Sequence, residues 1–193
     1  GEFDGRLIIV VNDNDMSIAE NHGGMYAGLK ELRATKGASK SNIFKAFGLE
    51  YMYVDNGNDI LELIRALEVA KEYTSPVVVH IKTQKGKGYA FAENERESWH
   101  ATPPFDIESG ERLFSKNSGT SYANLTCDYL LKKMREDPSV VSLIAATPTV
   151  AGFTKEKRDI AGKQFIDVGI AEEHALAMAS GIAKAGGKPV WAV

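Results

Sequence analysis

Residues 7–11, Leu-Ile-Ile-Val-Val, form an unbroken apolar run, the pattern of a strand covered on both faces. The polar run Asn12-Asp13-Asn14-Asp15 ends it at once. A short helix is expected over 42–49 and a strand over 51–54. Asp55-Asn56-Gly57-Asn58 reads as a turn. Asp59 then caps a helix over 60–73, whose apolar Ile60, Leu63, Ile64, Leu67 and Ala70 recur at helical spacing. Residues 76–83, centred on Val77-Val78-Val79-His80-Ile81, predict a second buried strand. Strand, helix and strand in this order predict a right-handed crossover in a mostly parallel α/β sheet.

The texture changes over 106–120, where two glycines, three serines and several charges predict a linker. A second α/β unit is expected beyond it. An amphipathic helix over 121–136 has Tyr122, Leu125, Tyr129 and Met134 among its apolar residues. Strands are expected over 140–146 and 164–170, a helix rich in alanine over 172–185, and the start of a strand at 188–193. The apolar runs near both ends, at 7–11 and 189–193, call for neighbouring strands. The expectation is therefore of two incomplete α/β domains joined by a linker: 1–105, 106–120 and 121–193.

Composition narrows the function classes. The 193 residues have a net charge of −3, without the basic excess that nucleic-acid binding needs. No apolar run reaches membrane-spanning length. Cys127 is a single cysteine, so no internal disulfide can form, which fits a reducing, cytoplasmic compartment.

Three segments could carry chemistry. Asn12-Asp13-Asn14-Asp15-Met16-Ser17-Ile18 follows a buried strand, and ligands of open α/β sheets bind at the carboxyl ends of strands. An amide oxygen and a backbone carbonyl there suit a hard cation such as Mg²⁺ shared with a phosphate, although the same residues also make ordinary solvated turns. An EF-hand loop does not fit, because its glycine would fall at Ile18. Lys85-Gly86-Lys87-Gly88-Tyr89 also follows a buried strand. Its glycines permit close backbone approach and its lysines suit anions, but the spacing is not that of a Walker loop. His100 lies eleven residues beyond Tyr89, and on its own reads as either structural or catalytic. In Asp167-Val168-Gly169-Ile170-Ala171-Glu172-Glu173-His174, two carboxylates and a histidine sit where a strand turns into a helix. Helix-dipole stabilisation would place carboxylates there without any catalytic role.

Taken in order, Asn-Asp-Asn-Asp-Met-Ser-Ile, Gly-Lys-Gly-Tyr, His-Ala-Thr-Pro-Pro-Phe-Asp and Ile-Ala-Glu-Glu-His resemble the 1-deoxy-D-xylulose-5-phosphate synthases, relatives of transketolase. The resemblance covers nearly the whole chain. Asn14-x-Met16 and the Ile170–His174 segment indicate a transketolase-like thiamine-diphosphate enzyme. Tyr89 and His100 in its Phe-Asp context narrow it to the synthase.

The resemblance implies a transferase that condenses pyruvate with D-glyceraldehyde 3-phosphate, with loss of CO₂, early in non-mevalonate isoprenoid and thiamine biosynthesis. The implied cofactors are thiamine diphosphate and Mg²⁺. Asn14 is implied as the side-chain metal ligand and Met16 as the ligand through its carbonyl. Tyr89 is implied to lie beside the cofactor and His100 to face the substrate. Glu172 is implied to contact the aminopyrimidine ring, and should then be buried; His174 has no firm role. Residues 1–105 would be the last part of the diphosphate-binding domain and 121–193 the start of the pyrimidine-binding domain, in a homodimer as the complete protein. The family's Gly-Asp-Gly metal segment, its upstream substrate histidines and its phosphate-binding arginines are not in this sequence, so these 193 residues alone are expected to be inactive. The stretch between Ile18 and Asn42 is short for the family. Ketol transfer of the transketolase type and a non-catalytic relative are the alternatives.

Overall fold

Two separate three-stranded parallel sheets organise the chain, and the α/β class expected from the sequence is observed. The computed structural model describes residues 5–21, 23–113 and 121–192. The chain divides into two compact units, one of residues 1–16 and 20–102, the other of 17–19 and 103–193.

In the first unit, β1 (Ile8–Asp13), β2 (Glu50–Val54) and β3 (Val77–Lys82) form a sheet ordered β1-β3-β2. The register pairs Val11 and Tyr53 with His80 on either side. Side chains alternate along a strand, so each sheet face collects every second residue. One face carries Ile8, Met52, Val54, Val77, Val79 and Ile81, packed against Leu63, Ala66 and Ala70 of helix α3 (Ile60–Ala70). The other face carries Asp13, Tyr51, Tyr53 and His80, and its polar atoms bond to one another rather than remaining bare. Phe44, from α2 (Ile43–Ala46), stacks on Tyr51 at 5.8 Å between ring centroids. Helix α1 (Gly24–Ala34) contributes buried Leu29 and Leu32, and Arg33. Helix α4 (Ala90–Asn94) follows the loop after β3.

Asp59 caps α3 as expected, its carboxylate accepting from Leu61 N at 2.8 Å and Glu62 N at 3.3 Å. The helix stops at Ala70 rather than Tyr73, and Ile60, Ile64 and Leu67 of the expected apolar stripe stay exposed. The short helix expected over 42–49 is a single turn. Asn42 caps it, and Gly48, at φ 76°, turns the chain out of it.

In the second unit, β4 (Val140–Ile144) lies between β5 (Phe165–Asp167) and β6 (Lys188–Ala192). Helix α5 (Tyr122–Glu136) is capped by Ser121, whose Oγ accepts from Asn124 N at 3.1 Å. It buries Cys127, Leu130, Leu131 and Met134 against Val140, Phe153 and Ala161. Of the apolar residues named from the sequence, Met134 is thus buried, while Tyr122, Leu125 and Tyr129 are exposed. The helix has two apolar stripes, and the sheet takes the more aliphatic one. Helix α6 (Lys155–Ala161) leads through a 3₁₀ turn, Gly162–Gln164, into β5, and α7 (Glu172–Lys184) precedes β6.

The strand expected over 164–170 ends at Asp167, because that carboxylate accepts from Gly169 N at 2.9 Å and Gly169, at φ 75°, bends the chain away. In the expected linker, Phe105 bridges Arg112 and Asp106 holds the intervening turn through Glu108 N and Ser109 N. Residues 114–120 of that linker, and Val193 of the last expected strand, lie outside the described residues. No helix among the described residues is long and apolar enough to cross a membrane.

Candidate functional site

Because β1 and β3 are parallel, with Asp13 opposite Lys82, the loops that follow them leave the same carboxyl edge of the sheet. That edge is where ligands of open α/β sheets bind. Thr83 ties the two loops together: its N–H donates to Asp13 O at 3.0 Å and its hydroxyl to Asn12 Oδ1 at 2.6 Å. Asn14 and Met16 are on the first loop and Tyr89 ends the second.

The first loop is a sharp turn. Asp15 has a left-handed backbone, φ 66°, and Asn14 Oδ1 accepts from Met16 N at 3.1 Å. An amide oxygen has two lone pairs, so one of them stays open to a cation. Asp13 is buried behind the turn and Arg33 Nη1 clamps both its oxygens at 2.6 Å. The other Arg33 amino group pairs with Asp15. Burial alone would raise the Asp13 proton affinity. Hydrogen bonds from His80, Arg33 and Asp15 N, with the Arg33 charge, overcome this and hold its pKa at about 2. An ionised carboxylate only accepts, so His80 Nε2 is the donor at 2.8 Å, and in the neutral imidazole Nδ1 accepts from Tyr51 OH at 2.7 Å. Burial, then the charges of Tyr53 and Asp13, raise the Tyr51 phenol; burial and the Asp55 charge push Tyr53 up to about 12.

The second loop is shaped by glycines and by Glu93. Gly86 and Gly88 have φ 79° and 96°, and a Cβ on Gly86 would lie 2.7 Å from the Ala92 backbone. Glu93 accepts from Gly88 N at 2.8 Å and from Gln84 Nε2 at 2.9 Å. The Lys85 proton affinity is lowered, chiefly by partial burial and then by the nearby Arg96 charge. Tyr89 meets Trp99 edge-on at 5.1 Å between centroids, which brings the segment bearing His100 to the Tyr89 ring. His100 itself is exposed, its N–H bonded to Glu97 O at 3.2 Å. A polar cavity of about 460 Å³ lies beside Asp15 and is lined also by Glu20, Asn21, Tyr26, Lys30 and Arg96.

In the second unit, Asp167 Oδ1 accepts from both Ala146 N and Gly169 N at 2.9 Å, linking the carboxyl ends of β4 and β5. Ala146 takes φ 61°, which costs on the order of 1 kcal/mol without a glycine. The turn leads directly to Glu172, the first residue of α7. Glu172 is exposed, contrary to the burial expected of it: it stands in the first turn of α7, where the buried residue is Ala175. Together with Glu173 it complements the helix dipole. His174 is exposed on the same turn.

The structure thus gathers Asn14, Met16 and Tyr89 on one sheet edge, with the His100 segment against Tyr89, while Glu172 belongs to the other unit. Asp13, Arg33, His80, Glu93 and Asp167 were not anticipated. A histidine in the middle of an apolar strand was a visible signal of His80. Nothing local signalled Arg33, which arrives from twenty residues beyond Asp13.

No three His, Cys, Asp or Glu among the described residues assemble into a metal cage. The donors at the turn are of another kind, an amide oxygen and a main-chain carbonyl. Hard oxygen donors at a strand's carboxyl edge, beside a glycine-shaped loop with lysines, fit a divalent cation shared with a diphosphate.

Residues 1–42 and 33–83 match the family profile described as 1-deoxy-D-xylulose-5-phosphate synthase. The protein of that name from Listeria monocytogenes serotype 4b is 37% identical over 98% of this chain and 32% of its own length. Those from Clostridium perfringens strain 13 and Halalkalibacterium halodurans are each 35% identical over 97% of this chain and 36% and 35% of their own lengths. The chain spans about a third of the length of the curated relatives it matches, and it belongs to the 1-deoxy-D-xylulose-5-phosphate synthase family.

Proposed function

We propose that the chain contributes to a thiamine-diphosphate-dependent transferase that joins pyruvate to D-glyceraldehyde 3-phosphate with loss of CO₂, yielding 1-deoxy-D-xylulose 5-phosphate for isoprenoid synthesis. The observation that carries the reading is the Asn12–Met16 turn on the same carboxyl sheet edge as the Gly86–Tyr89 loop. Asn14 Oδ1 and the Met16 carbonyl would hold Mg²⁺, and the glycine loop would admit the diphosphate close to the backbone. Thiamine diphosphate, when bound, supplies the nucleophilic carbon and the electron sink.

The protein groups bind, orient and move protons. Tyr89, braced by Phe91 and Trp99, gives the cofactor a rigid aromatic neighbour. His100 exchanges a proton with the substrate oxygen. Glu172 hydrogen-bonds the pyrimidine ring nitrogen. Its exposure within this chain leaves it open to such a contact, and cofactor binding would supply the burial that raises its proton affinity. In this reading the first unit is the last part of the diphosphate-binding domain and the second begins the pyrimidine-binding domain of a cytoplasmic homodimer.

The test is CO₂ release from pyruvate by the full-length protein, with thiamine diphosphate and Mg²⁺, with and without D-glyceraldehyde 3-phosphate. Release that requires the aldehyde and yields a pentulose phosphate establishes the reading. Ketol transfer between sugar phosphates without CO₂ release would replace it with transketolase chemistry. A folded protein that binds the cofactor and does neither is a non-catalytic relative.

A further inference from the structure

His80 is fully buried in the middle of β3, where Phe44, Tyr51 and Tyr53 surround its ring at 5.3–6.1 Å. Its strand neighbours Val79 and Ile81 are aliphatic, and an aliphatic or aromatic side chain would suit such a packed site. An imidazole there is tolerable because both nitrogens are bonded, one to Tyr51 and one to Asp13. A histidine satisfied in a core would ordinarily need no further account. This one differs in where its second bond leads.

Asp13 is the residue before Asn14, the proposed side-chain donor to the metal. Its Oδ2 takes the His80 bond at 2.8 Å, and its Oδ1 takes Asp15 N at 3.2 Å. Asp15 is the residue with φ 66° that separates Asn14 from Met16. The sequence of contacts therefore runs from the sheet interior to the turn: Tyr51, His80, Asp13, then the backbone of Asp15. Arg33 holds the same carboxylate from α1, so two partners on different elements fix its orientation.

We propose that His80 is a positioning residue for the cation-holding turn: through Asp13 it presets the left-handed backbone at Asp15, and so the mutual placement of the Asn14 amide oxygen and the Met16 carbonyl. The inference rests on the reading of those two groups as metal donors. Without the His80 bond, Arg33 alone fixes the orientation of the Asp13 carboxylate, and the Oδ1 that accepts from Asp15 N is held less firmly. The turn must then be ordered by the incoming cation, at the expense of affinity. Partners that orient metal ligands from behind typically change metal affinity 10- to 100-fold, and an effect of about that size is expected here.

The test uses the full-length protein, saturating thiamine diphosphate and Mn²⁺ as a paramagnetic stand-in for Mg²⁺. Bound metal is read from the loss of the free-ion electron paramagnetic resonance signal. His80→Phe keeps the ring volume and removes both bonds; its Kd for Mn²⁺ should rise about 10- to 100-fold. His80→Gln retains a donor toward Asp13 and should recover much of the loss, and turnover of both variants should return toward native at saturating metal. Tyr51→Phe removes only the outer bond and keeps the stack on Phe44; a smaller rise in Kd is expected, and this variant decides the matter if His80→Phe does not fold. Unchanged Mn²⁺ affinity in a folded His80→Phe, or in Tyr51→Phe when that is the folded variant, overturns the inference. Asn14→Ala separates the two readings. If it weakens Mn²⁺ binding while the His80 and Tyr51 variants do not, only the positioning role fails. If it has no effect, the metal reading fails and the inference with it.

Discussion

Replacing Arg33 with methionine keeps the aliphatic stem of the side chain and removes the clamp on Asp13. In the folded protein Asp13 titrates at about 2 instead of its ordinary 3.8, which corresponds to about 2.5 kcal/mol. The folded value lies below the unfolded one, so this stabilisation is present above pH 3.8 and is lost as pH falls toward 2. In Arg33→Met the burial that opposes ionisation remains, while the Arg33 hydrogen bonds and charge are gone, so the folded pKa of Asp13 moves upward. Removing one partner of a buried pair costs roughly 3–5 kcal/mol at neutral pH, a hundredfold or more in local opening. Amide hydrogen exchange over Ile8–Asp13 and Val77–Lys82 reads that opening strand by strand, which suits a chain of two units better than one global transition. Native and variant proteins should differ most near pH 7; the difference should shrink as pH falls below the raised Asp13 value of the variant, and close only toward pH 2, where Asp13 is protonated in both. A difference of constant size from pH 7 to pH 3 would show that Arg33 acts by packing, and the absence of any difference would show that the clamp does not stabilise the sheet.

Three further outcomes are expected. Gly57→Ala places a Cβ 2.0 Å from Ile81 Cγ2 and 2.6 Å from the Lys82 carbonyl, and should lower stability by about 1–3 kcal/mol or more, read as a fall in Tm. Asp167→Ala removes the acceptor shared by Ala146 N and Gly169 N; a loss of about 2–3 kcal/mol is expected, with hydrogen exchange rising first at Ile144 to Val168. Glu172→Gln in the full-length protein should abolish most turnover while leaving the circular dichroism spectrum unchanged and Tm only slightly lowered, because the exposed side chain contributes to the fold only through the helix dipole, where Glu173 remains; near-normal turnover would remove Glu172 from the proposed site.

The strands were legible because a buried parallel strand writes itself as an apolar run, and β1 and β3 do so within a residue or two. Helix α3 was legible from Asp59 and its spacing. Helix α1 was not, because it starts at Gly23 without a side-chain cap and contains Gly24 and Gly28. Its place is set by Leu29 and Leu32 packing inward, and by Arg33 reaching Asp13. Helix α5 was legible as an amphipathic helix, but its inward face was not, since spacing alone cannot rank Tyr122, Leu125 and Tyr129 against Cys127, Leu130 and Leu131. At the candidate site, the residues with local sequence context, Asn14, Met16 and Tyr89, were visible. Those that hold them in place, Arg33, His80 and Glu93, act across the fold, where no spacing rule reaches.

The unlike faces of the first sheet also bear on how the chain finds its pairing. A slip of one residue in β1 would turn Asp13 toward Leu63, Ala66 and Ala70, and would turn Ile8 toward the tyrosines. The misplaced carboxylate would be buried without Arg33 or His80, at several kcal/mol. Uniformly aliphatic strands would tolerate such a slip far better. The polar face therefore acts as a key for strand alignment, and weakening it should enlarge the population of misregistered chains during refolding.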